Sequence, residues 1–415
     1  MVDTHTQEAG DRSVLRRLSA SEERGRDGRG RLASTPAILH YGFRPFFFVA
    51  ALYAGLAVPT WLVMFRFGWE LPGALQGMNW HVHEMLFGYL AAVIAGFILT
   101  AVPNWTGRLP LSGLPLAGLV GLWLAGRAGT TLVADPVAAM ALDLAFPTVL
   151  AASVWREVVA GRNWRNAPVA IMLTLFGLAN AAHHLEGFGL VPDGFATRLA
   201  LAVTTMLIAL IGGRVVPSFT RNWLVKQRVD RLPASFGWID KTALLATATA
   251  MLAWVAAPQT QLAGFALLIS GVLLTVRLGR WAGLPSWREP IVLVLHLGYG
   301  WLALSVLLLG CSIVWASLPH SAALHALTAG AVGTMTLAIM TRASLGHTGR
   351  EIRADAWTLA IYAAVAVGAG LRVAAPFVPQ HYMALLMAGG ALWSGAFLLF
   401  AARYAPVLWR RRSHS

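Results

Sequence analysis

Twelve apolar runs, each near the length a helix needs to cross a bilayer, constrain this chain more than any other feature. A span takes about 20 mostly apolar residues, and the runs fall at residues 44–65, 80–102, 113–134, 137–155, 167–187, 197–217, 240–257, 261–279, 290–312, 320–341, 356–376 and 382–404. In hydrocarbon every backbone N–H and C=O must find its partner internally, so only helices or closed barrels are stable there. The runs lack the alternation of barrel strands. The sequence therefore predicts an all-α polytopic membrane bundle of about 12 transmembrane helices over residues 39–415, preceded by a basic, disordered cytoplasmic tail over residues 1–38. Hydrophobic residues make up 57% of the chain and charged residues 12%, against about 25% charge in a soluble domain.

Charge placement supports the count. The tail carries Arg12, Arg16, Arg17, Arg24, Arg26, Arg29 and Arg31. The second, fourth, sixth, eighth and tenth loops carry Arg108; Arg156, Arg162 and Arg165; Arg221, Lys226, Arg228 and Arg231; Arg280 and Arg288; and Arg342, Arg350 and Arg353. Arg410, Arg411 and Arg412 close the chain, and the odd loops have only Arg66 and Arg198 near their edges. The positive-inside rule then makes both termini and the even loops cytoplasmic. The formal charge of +14 is thus topological, and nothing else supports nucleic-acid binding. Cys311 is the only cysteine, so no disulfide forms within the chain and no Cys-x-x-Cys-His haem attachment exists. Walker loops, dinucleotide fingerprints and His-Glu-x-x-His zinc motifs are also absent.

A faint repeat recurs every four helices. Val102-Pro103-Asn104-Trp105-Thr106-Gly107-Arg108, Val216-Pro217-Ser218-Phe219-Thr220-Arg221 and Gly346-His347-Thr348-Gly349-Arg350 close runs 2, 6 and 10. They suggest three four-helix units, although cytoplasmic helix ends attract Pro, Gly, Thr and Arg in any case.

Seven of the 12 histidines map to the outer face. His81 and His83 open run 2, His183 and His184 close run 5, His320 and His325 open run 10, and His381 opens run 12. His296 sits deeper, and His40 and His347 fall on the cytoplasmic side. A lone interfacial histidine is usually satisfied by headgroups or loops. Three clustered pairs point to a metal or haem, because imidazole is costly in hydrocarbon and is the commonest ligand for such groups. On a regular helix His81 and His83 lie about 200° apart, so they serve two neighbouring sites unless the helix start is unwound. His320 and His325 lie about 140° apart, which turns His325 inward if His320 is at the rim. Glu84 and Glu186 are the nearest acids, as second partners to imidazoles or as proton relays. Arg127 and Arg372 lie within apolar runs and need a carboxylate or an anionic cofactor group, unless they snorkel to the interface.

Gly42-Phe43-Arg44-Pro45-Phe46-Phe47, Trp80-His81-Val82-His83-Glu84-Met85-Leu86-Phe87-Gly88, the segment from Gly96 to Arg108, and Thr341-Arg342-Ala343-Ser344-Leu345-Gly346-His347-Thr348-Gly349-Arg350 resemble the NnrS family over nearly everything after residue 38. The resemblance implies a haem- and copper-containing inner-membrane protein linked to nitric oxide metabolism and nitrosative stress, often in denitrifying bacteria. It does not assign ligands. Subunit I of the haem–copper oxidases is a weaker parallel, with twelve helices and haem-binding histidines on helices 2 and 10.

The leading expectation has a histidine from run 2 and one from run 10 holding haem, drawn from His81, His83, His320 and His325. Copper is expected on His183 and His184, with His81 or His83 available to it and Glu84 or Glu186 behind. Nitric oxide or a related small nitrogen oxide is the expected partner beside the lipid bilayer, with an electron donor unassigned and turnover, sensing and sequestration all open as roles. A secondary transporter also suits twelve spans and a repeat, but its site would lie near the midplane at broken helices. A passive scaffold or sensor is the third reading, in which the outer histidines would be dispensable.

Overall fold

The computed structural model describes residues 35–315 and 317–411. Most of the expected basic tail, residues 1–34, and Arg412 lie outside them. Among the described residues there are no strands and twelve long helices: α1 (Phe43–Phe67), α2 (Gly77–Pro103), α3 (Leu114–Leu132), α4 (Pro136–Ala160), α5 (Ala167–Gly187), α6 (Phe195–Lys226), α7 (Trp238–Ala256), α8 (Gln261–Gly279), α9 (Pro290–Val314), α10 (His320–His347), α11 (Ala356–Ala374) and α12 (Tyr382–Trp409). Each coincides with one of the twelve apolar runs. Eleven are long and apolar enough to cross a membrane; α3 is less apolar because it carries Arg127 and four glycines.

Local sequence fixes the helix ends. Asp135 and Asp355 accept the backbone N–H of Ala138 and Thr358 at 2.7 and 2.9 Å, each satisfying one of the donors a helix start leaves open. Gly68 ends α1 at φ 69°, a left-handed conformation that glycine adopts without a Cβ penalty. The repeated Pro-Thr-Arg segments end differently. Gly107 and Gly349 take φ values of 69° and 67° after α2 and α10. The matching segment on α6 has no glycine after Thr220, and that helix runs on through Pro217 to Lys226, nine residues past the sequence boundary.

Helices consecutive in the chain pack on one another, and α12 returns to pack on α1. The hydrophobic windows of α2 and α10 are 83% and 72% buried, against 28% for α4. Together with α6, they line a cavity to which no other helix contributes. These three central helices are also the ones with a π-helical turn: Glu84–Leu90, Ile208–Gly212 and Ala326–Val332. A π turn disturbs the regular ladder, and in a membrane the carbonyls it frees need other donors. The outer ring supplies them. The indole of Trp123 donates to Gly88 O at 3.0 Å, the guanidinium of Arg277 to Ala209 O at 2.8 Å, and the indole of Trp393 to Ala329 O at 3.1 Å.

The third and fourth helices of every four are also joined by charge. Arg127 on α3 pairs with Asp143 on α4. Asp240 on α7 pairs with Arg277 on α8 at 2.9 Å, and Asp355 at the start of α11 with Arg403 on α12 at 2.6 Å. The four-helix periodicity hinted at by the sequence is therefore carried by π turns and ion pairs more strongly than by the short motif.

Candidate metal and cofactor centre

Two compartments lie on opposite sides of α2, at the end of the bundle where α2 and α10 begin and α5 ends. The 200° between His81 and His83 separates them.

The first compartment is a polar cluster buried between α1, α2, α3, α4 and α5. Glu84 is fully buried and has both carboxylate oxygens engaged. Oε2 accepts from Tyr53 and Arg127; Oε1 accepts from Thr130 at 2.7 Å and faces His83 Nδ1 at 2.9 Å. Asp143 Oδ1 accepts from Arg127, and Oδ2 accepts from Asn180 at 2.8 Å and faces His83 Nε2 at 3.1 Å and His184 Nε2 at 3.0 Å. Small residues make this approach feasible. A Cβ on Gly88 would sit 2.7 Å from Glu84 Oε2 and 2.9 Å from Arg127, and one on Gly126 would sit 3.1 Å from Asp143 Oδ1.

Charge follows from this geometry. Both nitrogens of His83 face acceptor oxygens, so both can donate only as imidazolium. Arg127 and His83 then balance Glu84 and Asp143, as a buried ionic group in hydrocarbon requires. Donor atoms of His83, Asp143 and His184 lie within 4.8 Å of one another, a separation that suits a metal ion. His183 adds a second signal. Its ring is 5.1 Å from that of His83, it is only 2% exposed, and neither nitrogen has a hydrogen-bond partner. Native structures rarely bury such groups unpaired without a bound species to explain them.

The second compartment is a cavity of about 400 Å³ between α1, α2, α6, α10, α11 and α12. His81, His325 and Arg372 all line it. His81 stacks on Trp61 at 4.2 Å between ring centroids, and its Nδ1 is buried without a partner. His325 Nδ1 donates to Ser321 O at 2.8 Å; a carbonyl only accepts, so in the neutral ring the lone pair is on Nε2. That second contact is the usual way a ligating imidazole is oriented. One guanidinium nitrogen of Arg372 is buried with no partner. The two intramembrane arginines thus differ: Arg127 has two carboxylates, whereas Arg372 has none and faces a cavity.

The sequence-predicted residues divide accordingly. His83, His183, His184, Glu84 and Arg127 share the first compartment; His81, His325 and Arg372 share the second. His320 is exposed at the rim, 3.0 Å from the Ser312 hydroxyl, and joins neither. Glu186 accepts the Ala196 backbone N–H at 2.6 Å, tying α5 to the start of α6 rather than meeting an imidazole. His296 is buried elsewhere, 2.8 Å from Thr220. Sequence reasoning missed Asp143, Asn180 and Tyr53. Asp143 had a signal: it is a carboxylate inside the apolar run of α4, where ionisable residues are rare and mostly functional.

A family model described as NnrS protein matches residues 37–412. No curated protein matches the chain.

Proposed function

The chain belongs to the NnrS family, multi-pass membrane proteins linked to the nitric oxide response, and on that premise we propose that it binds haem and copper in two separate compartments of the inner membrane and acts in protection against nitric oxide. One observation carries the reading: His81 and His325, from helices far apart in the chain, and the unpaired Arg372 line one cavity.

The donor set fits haem. Two imidazoles with free ring nitrogens suit iron, and an unpaired guanidinium suits the propionates of an anionic porphyrin. Haem held there would supply an iron centre for electron transfer or for binding nitric oxide. The chain's own residues orient the site. Trp61 fixes the plane of His81, and Ser321 fixes the tautomer of His325.

The polar cluster fits a copper ion. His83, His183, His184 and Asp143 offer nitrogen and oxygen donors, and His83 would give up its second ring proton to become a ligand. Exchange of that proton for a monovalent cation leaves the balance with Glu84, Asp143 and Arg127 unchanged. Arg127 and Thr130 hold Glu84 in place to accept the Nδ1–H that His83 keeps, which orients the ring so that Nε2 is the atom left free for the ion. Binding is then coupled to proton release.

The test is an optical spectrum of the purified protein, reduced, oxidised and with nitric oxide, together with metal analysis. H325A and H81A should each lose haem while retaining copper, and H184A should do the reverse. Full haem occupancy in H325A would remove that residue from the scheme, and a colourless, metal-free wild-type protein would end the reading.

A further inference from the structure

The cavity between α2, α6 and α10 belongs to neither compartment. It measures about 90 Å³ and is lined almost wholly by aliphatic and aromatic side chains, among them Leu90, Ile94, Phe97, Ile211 and Ile339. Two threonine hydroxyls reach it, and both are already committed. Thr204 donates to Ala200 O at 2.7 Å; Thr336 is 2.5 Å from the Tyr89 hydroxyl and donates to Gly333 O at 3.1 Å. A buried water needs two to four polar partners, and this lining offers only the remaining lone pairs of two threonine hydroxyls, so it favours an apolar guest over water. An apolar cavity of about 150 Å³ stays empty of water and takes benzene or xenon; one of about 90 Å³ suits guests smaller than benzene, a xenon atom among them.

Its position is built rather than incidental. Leu90, Ile211 and Val332 each belong to one of the three π turns, and all three line the cavity. Leu90 and Val332 also line the cavity of His81 and His325, so the two spaces share a wall. Tyr89 lines the histidine cavity, and its Thr336 partner lines the axial one.

We propose that the axial cavity is a binding site for a small uncharged gas such as nitric oxide or dioxygen, held beside the histidine cavity and separated from it by Leu90 and Val332. The binding site stands on the cavity itself; the direction of delivery rests on the function proposed above. Such a guest partitions into hydrocarbon, needs no hydrogen bond and fits the volume, whereas an ion or a polar nitrogen oxide would lose its solvation uncompensated.

Xenon is the probe. Crystals of the full chain pressurised with xenon should show a peak between α2, α6 and α10, and I211W should abolish it with the haem spectrum unchanged. I339F, on a different helix, serves as a second filling variant should the first fold poorly. Carbon monoxide flashed from reduced haem should return more slowly from solution in the filled variants. No xenon peak in the wild type, ordered water in its place, or a peak undiminished by either filling variant overturns the site. A xenon peak in a protein without haem would sustain the site and reject only the delivery. Unchanged carbon monoxide return alongside a lost xenon peak would likewise reject delivery alone.

Discussion

Replacing Arg127 by glutamine tests the polar cluster most directly. Arg127 is 6% exposed and pairs with both Glu84 and Asp143, which are themselves 0% and 1% exposed. Glutamine keeps part of the volume and can donate to one carboxylate but removes the charge. With His83 as imidazolium, the group then passes from neutral to one uncompensated negative charge. Removing one partner of a buried pair costs about 3–5 kcal/mol. Protonation of a carboxylate bounds the loss independently: moving a group with a reference pKa of about 4 to its neutral form at pH 7 costs about 4 kcal/mol. We therefore expect R127Q to lose about 3–5 kcal/mol of unfolding free energy, measured by SDS titration of the protein in mixed micelles at pH 7. The R127Q/D143N double variant restores neutrality and should recover about half or more of the loss. A loss under about 1 kcal/mol, the range of solvent-exposed pairs, or no recovery in the double variant, would show that the cluster is hydrated and that the charge balance argued above is wrong.

Four further outcomes follow from the same geometry. G88A places a methyl group against Glu84, Arg127 and the Tyr53 ring; it should destabilise by about 1–3 kcal/mol and lower copper retention, with normal retention refuting the close approach. W393F removes the indole N–H from Ala329 O, leaving a buried acceptor short at about 1–3 kcal/mol; the shift should appear both in unfolding and in the haem spectrum through the neighbouring His325. Copper loading of the wild type should release protons in an unbuffered titration, and H83Q should bind less copper with less release. Asp355, outside the spans, is raised by burial, but the Thr358 hydroxyl and backbone N–H and the Arg403 guanidinium outweigh this and hold it at about 2. Its folded pKa is depressed, so its contribution is present above an unfolded value of about 3.9 and is lost as pH falls towards 2. D355N should lower the unfolding midpoint at pH 7 and flatten its acid limb, the difference from wild type shrinking as pH falls towards 2.

The helical architecture was legible because hydrocarbon leaves the backbone so few options: length, apolarity and arginine placement located all twelve helices. The two-sided use of α2 was legible from rotation alone, since residues two apart on a regular helix point about 200° apart. The pairing of partners was not. His81 meets His325, and His83 meets Asp143, through contacts spanning many helices, and no local spacing encodes them. The π turns were hidden for a related reason, because a single extra residue in a turn leaves the apolar pattern intact. Glu186 illustrates the converse error of proximity: next to His184 in sequence, it turns away to hold the loop before α6. Asp143 shows that an acid in mid-span carried information even with no histidine nearby in the chain.

The guanidinium of Arg277 has a consequence for assembly. It bonds the Ala209 carbonyl, the Tyr299 hydroxyl and Asp240, so the π turn of α6 is closed by a cation of the chain itself. In the two compartments, by contrast, His81, His183 and Arg372 keep unpaired nitrogens. One of the three π turns is thus locked by a charge the chain carries for itself, a fixed point of the bundle that depends on no guest.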